Sequence, residues 1–272
     1  MKVCMICPRQ CKVDRRMEKG LCKVLWEPVV ASAMIHMGEE PSISGSRGSG
    51  TVFFSGCNLS CVFCQNYNIS QEAEGVTKTV EALAEIFHKL ERKGAHNINL
   101  VTPSHFVPQI AEAIRLAKEG GIDIPFIYNS GGYDAISSLR LMEGLVDIYM
   151  PDLKYGNDAL GRRYSNVPDY FNVASQALTE MYRQVGAPVI RSGVMQKGLL
   201  IRHLVLPGLT EDSLTVLNWI KANMPSAGVS LLAQYRPVYQ ASKFPEINRH
   251  PTVQEYRSVE FHLDAIGLNK GN

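Results

Sequence analysis

The 272-residue chain carries a formal charge of +2, which gives no electrostatic basis for binding nucleic acid or an anionic membrane. Its apolar content suits one domain of barrel size, and it holds no run of eighteen apolar residues, so no transmembrane helix is expected. All seven cysteines fall in its first quarter, and the opening MKVCMICPRQC has no apolar signal-peptide core; such thiols read as metal ligands in a reducing cytoplasm rather than as disulfides.

Residues 1–25 carry four of those thiols: Cys4-x2-Cys7, then Cys11, then Cys22 after Gly20. Four thiolates suit a closed tetrahedral zinc site; a second iron–sulfur cluster is the rival, since the ligand type is the same. Free thiols in a basic, solvated arm (Arg9, Lys12, Arg15, Arg16) are the third reading. Residues 26–50 read as a linker with little regular structure. Its Gly/Ser-rich end, Ser42 to Gly50, lacks the spacing and the Lys-Ser/Thr ending of a phosphate-binding loop. It predicts a hairpin leading into a first core strand at Thr51–Phe54.

Directly after that strand comes Cys57-x3-Cys61-x2-Cys64. This spacing lets one loop wrap three sulfurs around three corners of a cubane cluster, for which thiolates are the soft ligands of choice. Gly56 permits a tight turn before the first thiol. Phe53, Phe54, Val62 and Phe63 would shield the cluster from water. A zinc site would need a fourth ligand that the motif does not supply.

Beyond the motif, strand-like apolar runs recur at Ile98–Val101, Phe126–Tyr128, Val146–Met150, Leu199–Leu206 and Val229–Tyr235. Helical stripes lie between them. Val80, Leu83, Phe87 and Leu90 end at Gly94; Ile110, Ala113, Ile114 and Ala117 end at Gly120-Gly121. Val173, Ala177, Met181 and Val185 follow, then Leu214, Leu217 and Ile220 behind Thr210 as N-cap. Thr252-x-x-Glu255 reads as a capping box opening a last helix with Val259, Leu263 and Ile266 on one face. Six strands with helices between them predict parallel βαβ units, in a flat sheet or a partial barrel. Ligands of such folds gather at the C-terminal strand ends. Those ends are polar throughout: Thr102-Pro103-Ser104-His105, Asn129-Ser130, Asp152-Leu153-Lys154, Arg202-His203 and Gln234-Tyr235-Arg236.

The thiol motif followed by Gln65 and Asn66 resembles the signature of the radical S-adenosylmethionine (SAM) enzymes. SGCNLSCVFCQNYNIS is most similar to the branch related to pyruvate formate-lyase activating enzymes. The resemblance implies a partial (β/α)6 TIM-like barrel over about Gly45 to Tyr235. That divides the chain into a Cys-rich extension and linker (1–44), the barrel (45–240) and a C-terminal helix and tail (241–272). It implies a [4Fe-4S] cluster on Cys57, Cys61 and Cys64, with SAM on the fourth iron. One electron would cleave SAM to methionine and a 5′-deoxyadenosyl radical, which takes a hydrogen atom from substrate.

The same resemblance carries over segment by segment. Met150-Pro151-Asp152-Leu153-Lys154 is similar to the family's Met-x-Asp-Leu-Lys. It implies Asp152 and Lys154 near the methionyl end of SAM, with Met150 and Asp152 on a monovalent cation. Asn129-Ser130-Gly131-Gly132 matches an Asp-Thr-Asn-Gly segment and implies Asn129 and Ser130 near SAM, though Asn129 stands where the family has an acid. Ile201-Arg202-His203-Leu204-Val205-Leu206-Pro207-Gly208 matches the fifth-strand pattern and brings in Arg202. Gln234 and Tyr235 end the sixth strand, Tyr235 standing where the family has His. The family's Gly-Gly-Glu for the SAM amino group is missing; Thr102 and Ser104 are the hydroxyls offered in its place. No cysteine follows Cys64, so the ferredoxin-like insert of many glycyl-radical activases is absent.

The expected partners are a low-potential flavodoxin or ferredoxin and either a glycyl-radical enzyme or another protein, peptide or small molecule. The rival from another class is a non-catalytic iron–sulfur electron carrier or scaffold. No general base is assigned; His105, His203 and Tyr235 are candidates only through their positions at strand ends.

Overall fold

The computed structural model describes residues 3–271. Residues 3–28 form irregular loops. They lead into β1 (Val29–His36), α1 (Pro41–Ser44) and β2 (Ser49–Phe54). The linker expected over 26–50 is therefore corrected. Its residues Val29–His36 form a strand that pairs antiparallel with β2, from Val30 opposite Phe54 to His36 opposite Ser49 with an irregularity between Val30 and Ser32. The strand lies at an outer position and its burial does not alternate cleanly, so it carries no period-two pattern that would mark it in the sequence.

The remaining elements follow in order. α2 (Tyr67–Ser70), β3 (Val76–Thr77) and α3 (Val80–Arg92) precede β4 (Ile98–Val101) and α4 (Val107–Glu119). β5 (Phe126–Ser130), α5 (Ile136–Leu141), β6 (Ile148–Pro151), α6 (Asp158–Ser165) and α7 (Tyr170–Val185) come next. Then come β7 (Val189–Arg191), β8 (Val194–Leu204), α8 (Thr210–Asn223), β9 (Gly228–Leu232), α9 (Val253–Ala265) and β10 (Asn269–Lys270).

The six expected core strands are all present, as β2, β4, β5, β6, β8 and β9, each parallel to the next. The whole sheet runs β10-β9-β8-β6-β5-β4-β2-β1-β3, with β7 on β8, so β2 and β9 do not pair and the sheet does not close. This is the parallel sheet of a mixed α/β fold, with the open form of a partial barrel. Burial on both faces explains the continuous apolar runs. Ile43, Ile127, Ile148, Met150, Met195 and Leu200 pack as one small apolar cluster. The helices cover the outer face, with Leu83, Phe87 and Leu90 of α3 and Ile110, Ala113, Ile114 and Ala117 of α4 buried as their stripes require.

Capping was half legible. Thr252 and Glu255 form both bonds of the expected capping box, and Val259 and Leu263 of α9 are buried. Thr210, expected as an N-cap, is instead the first helical residue of α8, and Leu209 holds the cap position. No helix among the described residues is long and apolar enough to cross a membrane.

Candidate active site at the strand ends

β2 ends in Ser55 and Gly56, and the chain turns at once into the three thiols. Gly56 has φ of +80°, and a Cβ there would stand 2.3 Å from the Cys22 carbonyl oxygen, so only glycine fits this turn. The thiol loop is pinned from two sides. Ser60 and Val62 donate their N–H groups to the carbonyls of Ser165 and Tyr164 at the end of α6 (3.1 and 2.8 Å). Gln240, beyond β9, donates its N–H to the Val62 carbonyl (2.8 Å). Gln65 reaches the Gln234 carbonyl (2.9 Å), and Tyr67 stacks on Tyr239 with ring centroids 4.9 Å apart. These contacts join the loop after β2 to the segment after β9, where the sheet has no ladder.

Cys57, Cys61 and Cys64 line one cavity of about 240 Å³ with Thr102, Asn129, Ser130, Asp152, Lys154, Arg202 and Gln234. Each sulfur has a donor or hydroxyl beside it. Leu59 N–H donates to Cys57 Sγ (3.4 Å), Ser165 Oγ lies 3.0 Å from Cys61 Sγ, and Ser70 Oγ lies 3.1 Å from Cys64 Sγ. Burial pushes the Cys57 and Cys61 thiols up, while the Lys154 ammonium pulls the other way. Buried thiols with donors and a cation around them fit a group that binds as thiolate and brings its own positive charge, as an iron–sulfur cluster does.

The polar wall opposite is one ion-pair network. Asp152 accepts from Lys154 Nζ (2.5 Å) and from Arg202 Nε (2.9 Å). Arg202 also donates to Asn129 Oδ1 (2.6 Å) and lies 3.7 Å from Glu39. Burial would raise the Asp152 carboxyl, but the Arg202 guanidinium and Lys154 ammonium outweigh it and hold it below the usual range. Glu39 goes the other way: burial raises it, against the pull of Arg202. Its Oε1 takes the Asn99 amide (3.0 Å), so this residue of the former linker braces Arg202 from below.

The Gly131-Gly132 turn closes over this wall. Gly132 has φ of +77°, and a Cβ there would stand 2.2 Å from the Asp152 carbonyl oxygen. The Tyr170 hydroxyl donates to the Gly131 carbonyl (2.9 Å) and accepts the Lys154 N–H (2.9 Å), clamping two strand ends together. Thr102 has φ of +61°, a strained conformation for a β-branched residue, and it faces the cavity.

Several expected residues lie elsewhere. Ser104 is buried near Asp134, whose carboxylate accepts from the Tyr128 and Ser130 hydroxyls (2.8 and 2.6 Å). Tyr235 sends its hydroxyl to the Ile247 carbonyl (2.7 Å) and packs edge-on against Phe63. Met150 lies in the small apolar cluster. His105 bonds the Ser55 carbonyl (2.8 Å), and burial pushes it down to about 3. His203 bonds the Leu153 carbonyl and Ser213 (2.7 and 2.9 Å), and burial pushes it down to about 4. These two histidines fix backbone and offer no base. The residues missed from sequence are Glu39, Ser70, Ser165 and Tyr170. None of the four stands in the thiol spacing motif or at the end of an expected strand, so no local pattern marks them.

A wider depression lined by Arg140, Glu180, Arg183 and Trp219 lies away from the thiols, and Arg183 is already paired with Glu180 and Glu143 (2.8 and 2.9 Å). Among the described residues, no group of three or more His, Cys, Asp or Glu is arranged to hold a single metal ion. The N-terminal thiols Cys4, Cys7, Cys11 and Cys22, expected to hold zinc or a second cluster, are thus not gathered around a single point.

The family model of the Radical SAM superfamily matches residues 51–220. An uncharacterized protein of Methanocaldococcus jannaschii is 31% identical over 97% of this chain and 77% of its own. Among solved structures, Streptococcus suis SuiB aligns with a TM-score of 0.57 at 13% identity, over 82% of this chain. SuiB bound to the precursor peptide SuiA aligns with 0.54 at 12% identity, over 76% of this chain. The chain spans 47% and 43% of those two SuiB chains, and at such identity the likeness is one of fold.

Proposed function

This chain belongs to the radical SAM superfamily, and from that premise we propose that it cleaves S-adenosylmethionine reductively to start hydrogen abstraction from a polypeptide substrate. The observation that carries the reading is the meeting of three buried thiols and one charged wall in a single cavity. Cys57, Cys61 and Cys64 would hold a [4Fe-4S] cluster, which would supply the one electron for reductive cleavage of SAM to methionine and a 5′-deoxyadenosyl radical. The protein does the rest by position and exclusion of water.

Arg202, held by Asp152, Asn129 and Glu39, presents a fixed guanidinium for the SAM carboxylate. Lys154 keeps its proton through Asp152, which raises it well above its ordinary value against burial. Its charge also faces the thiols. Thr102 lines the cavity where the family's Gly-Gly-Glu is missing, and we assign it the SAM amino group. Phe63, Leu59, Leu204 and Leu232 line the same cavity and exclude water from it.

For the substrate we take a loop of a glycyl-radical enzyme. The support is the likeness of Met150–Lys154 and Asn129–Gly132 to activating enzymes. The electron donor in this reading is a low-potential flavodoxin or ferredoxin. A different peptide substrate is favoured by one finding, the fold likeness to SuiB, a protein that binds a precursor peptide.

The test is anaerobic reconstitution with iron and sulfide, then dithionite and SAM, with 5′-deoxyadenosine measured by mass spectrometry. The parent chain is expected to make it and Cys61→Ala is not. A reduced cluster whose EPR signal ignores SAM, with no deoxyadenosine formed, would mean an electron carrier or scaffold instead.

A further inference from the structure

We propose that Cys4, Cys7, Cys11 and Cys22 hold a second [4Fe-4S] cluster, packed against the loop that carries the first. Residues 3–28 have no helix or strand to organise them. They fold instead by short backbone bonds: Cys4 N–H to Val13 O (2.8 Å), Lys12 N–H to Cys4 O (3.1 Å) and Gly20 N–H to Val24 O (3.2 Å). This brings the four thiols together. Cys4, Cys7 and Cys22 are buried and Cys11 is half-buried. A Cβ on Gly20 would stand 3.3 Å from Cys22 Sγ and 3.4 Å from Cys11 Sγ, so both sulfurs face the same gap. All three other thiols stand near enough to Cys7 for their charges to act on it.

Two further observations point to a ligand rather than to four inert thiols. First, the N–H two residues on stands near the sulfur at Cys7 (Arg9) and at Cys22 (Val24). Leu59 has the same place in the first thiol loop, where its N–H donates to Cys57 Sγ. N–H groups so placed favour a bound thiolate. Second, Arg15 is buried to 2% exposure with its Cδ facing the same gap, 3.4 Å from that Cβ position. Its two terminal nitrogens bond the His105 and Leu25 carbonyls (2.5 Å each), while its Nε has no partner. A buried cation with a free donor beside four thiols suits a group of net negative charge.

The spacing separates the two metals. A tetrahedral zinc holds its sulfurs at about 2.3 Å, which crowds all four into contact. No described group of three or more ligands is arranged for one ion, and this is as true of Cys57, Cys61 and Cys64 as of the N-terminal four. A cubane takes its sulfurs at separate corners, so thiols that gather without converging on one point suit it in both places. The two sites adjoin. The Cys22 carbonyl lies against Gly56, and Arg9 Nε donates to the Asn58 carbonyl (2.7 Å) inside the first loop.

The deciding sample is the full chain with Cys57→Ala, Cys61→Ala and Cys64→Ala together, reconstituted anaerobically beside the parent. The parent should bind about eight irons and the triple variant about four, as acid-labile clusters on four thiols require. The cluster left in the triple variant should give a reduced EPR signal that SAM does not move. In Cys7→Ala/Cys22→Ala the iron content should also halve, with the SAM-sensitive signal kept; if that variant does not fold, the triple variant decides alone. One zinc and no iron in the triple variant, or no metal at all, would overturn the proposal. Either result leaves the function proposed above standing as long as the parent still makes deoxyadenosine, so the two readings fail separately.

Discussion

Asp152 is the residue on which the cavity's charge balance turns. Its carboxylate serves Lys154 and Arg202 at once, and all three side chains are mostly buried. Asp152→Asn removes the shared anion and leaves two cations facing each other. Removing one partner of a buried pair costs about 3 kcal/mol at the lower end of the usual range, and here two pairs lose it. The variant should unfold at lower denaturant and bind SAM at least about tenfold more weakly, read by equilibrium binding to the reconstituted protein. Unchanged affinity would remove Asp152 from the site. Asp152, Lys154 and Arg202 were legible in the sequence because each ends a strand. Glu39 was not, since its contact with Arg202 depends on how the chain turns into α1, far away in sequence. Ser70 and Ser165 were illegible for the same reason: a hydroxyl beside a sulfur has no local pattern.

At the scale of the element, two buried histidines lock turns to the sheet. His105, after β4, holds the Ser55 carbonyl at the end of β2, and His203 in β8 holds Leu153 between Asp152 and Lys154. Both are pushed down by burial, from 6.5 to about 3 and about 4. The unfolded chain therefore binds protons below about pH 6.5 that the folded chain refuses. Stability falls as pH drops through that window, by about 1.4 kcal/mol per pH unit for each histidine, and the loss levels off at about pH 4 for His203 and about pH 3 for His105. Urea midpoints taken from pH 7 to 4.5 should show this slope, and His203→Gln should flatten it by about half. A profile unaltered by the substitution would contradict the assignment. Strand ends made these histidines look catalytic in the sequence; the structure shows both nitrogens of His203 in use and His105 buried, with its Nε2 on the Ser55 carbonyl.

For the whole molecule, the six parallel strands and their helices were readable because buried strands give unbroken apolar runs. β1 was not, because an outer antiparallel strand owes its place to its partner β2 rather than to its own pattern. What the sequence could not indicate is where the sheet stops. Between the loop after β2 and the segment after β9 there is no ladder; the Tyr67–Tyr239 stack, the Phe63–Tyr235 edge contact and two hydrogen bonds join them. An aromatic pair of this kind contributes about 0.5–1.5 kcal/mol. Tyr239→Ala should therefore speed the bleaching of the reconstituted cluster in air by about two- to tenfold, followed by its visible absorbance, with little change in the unfolding midpoint. Bleaching at the parent rate would show that the seam does not guard the cluster. A closed barrel can be loaded only through its mouth, by something small or by a free chain end. A seam held by ring contacts and two hydrogen bonds can part without breaking a ladder, so under the function proposed above a bend in the middle of a long polypeptide can be laid in sideways and neither end need ever be threaded.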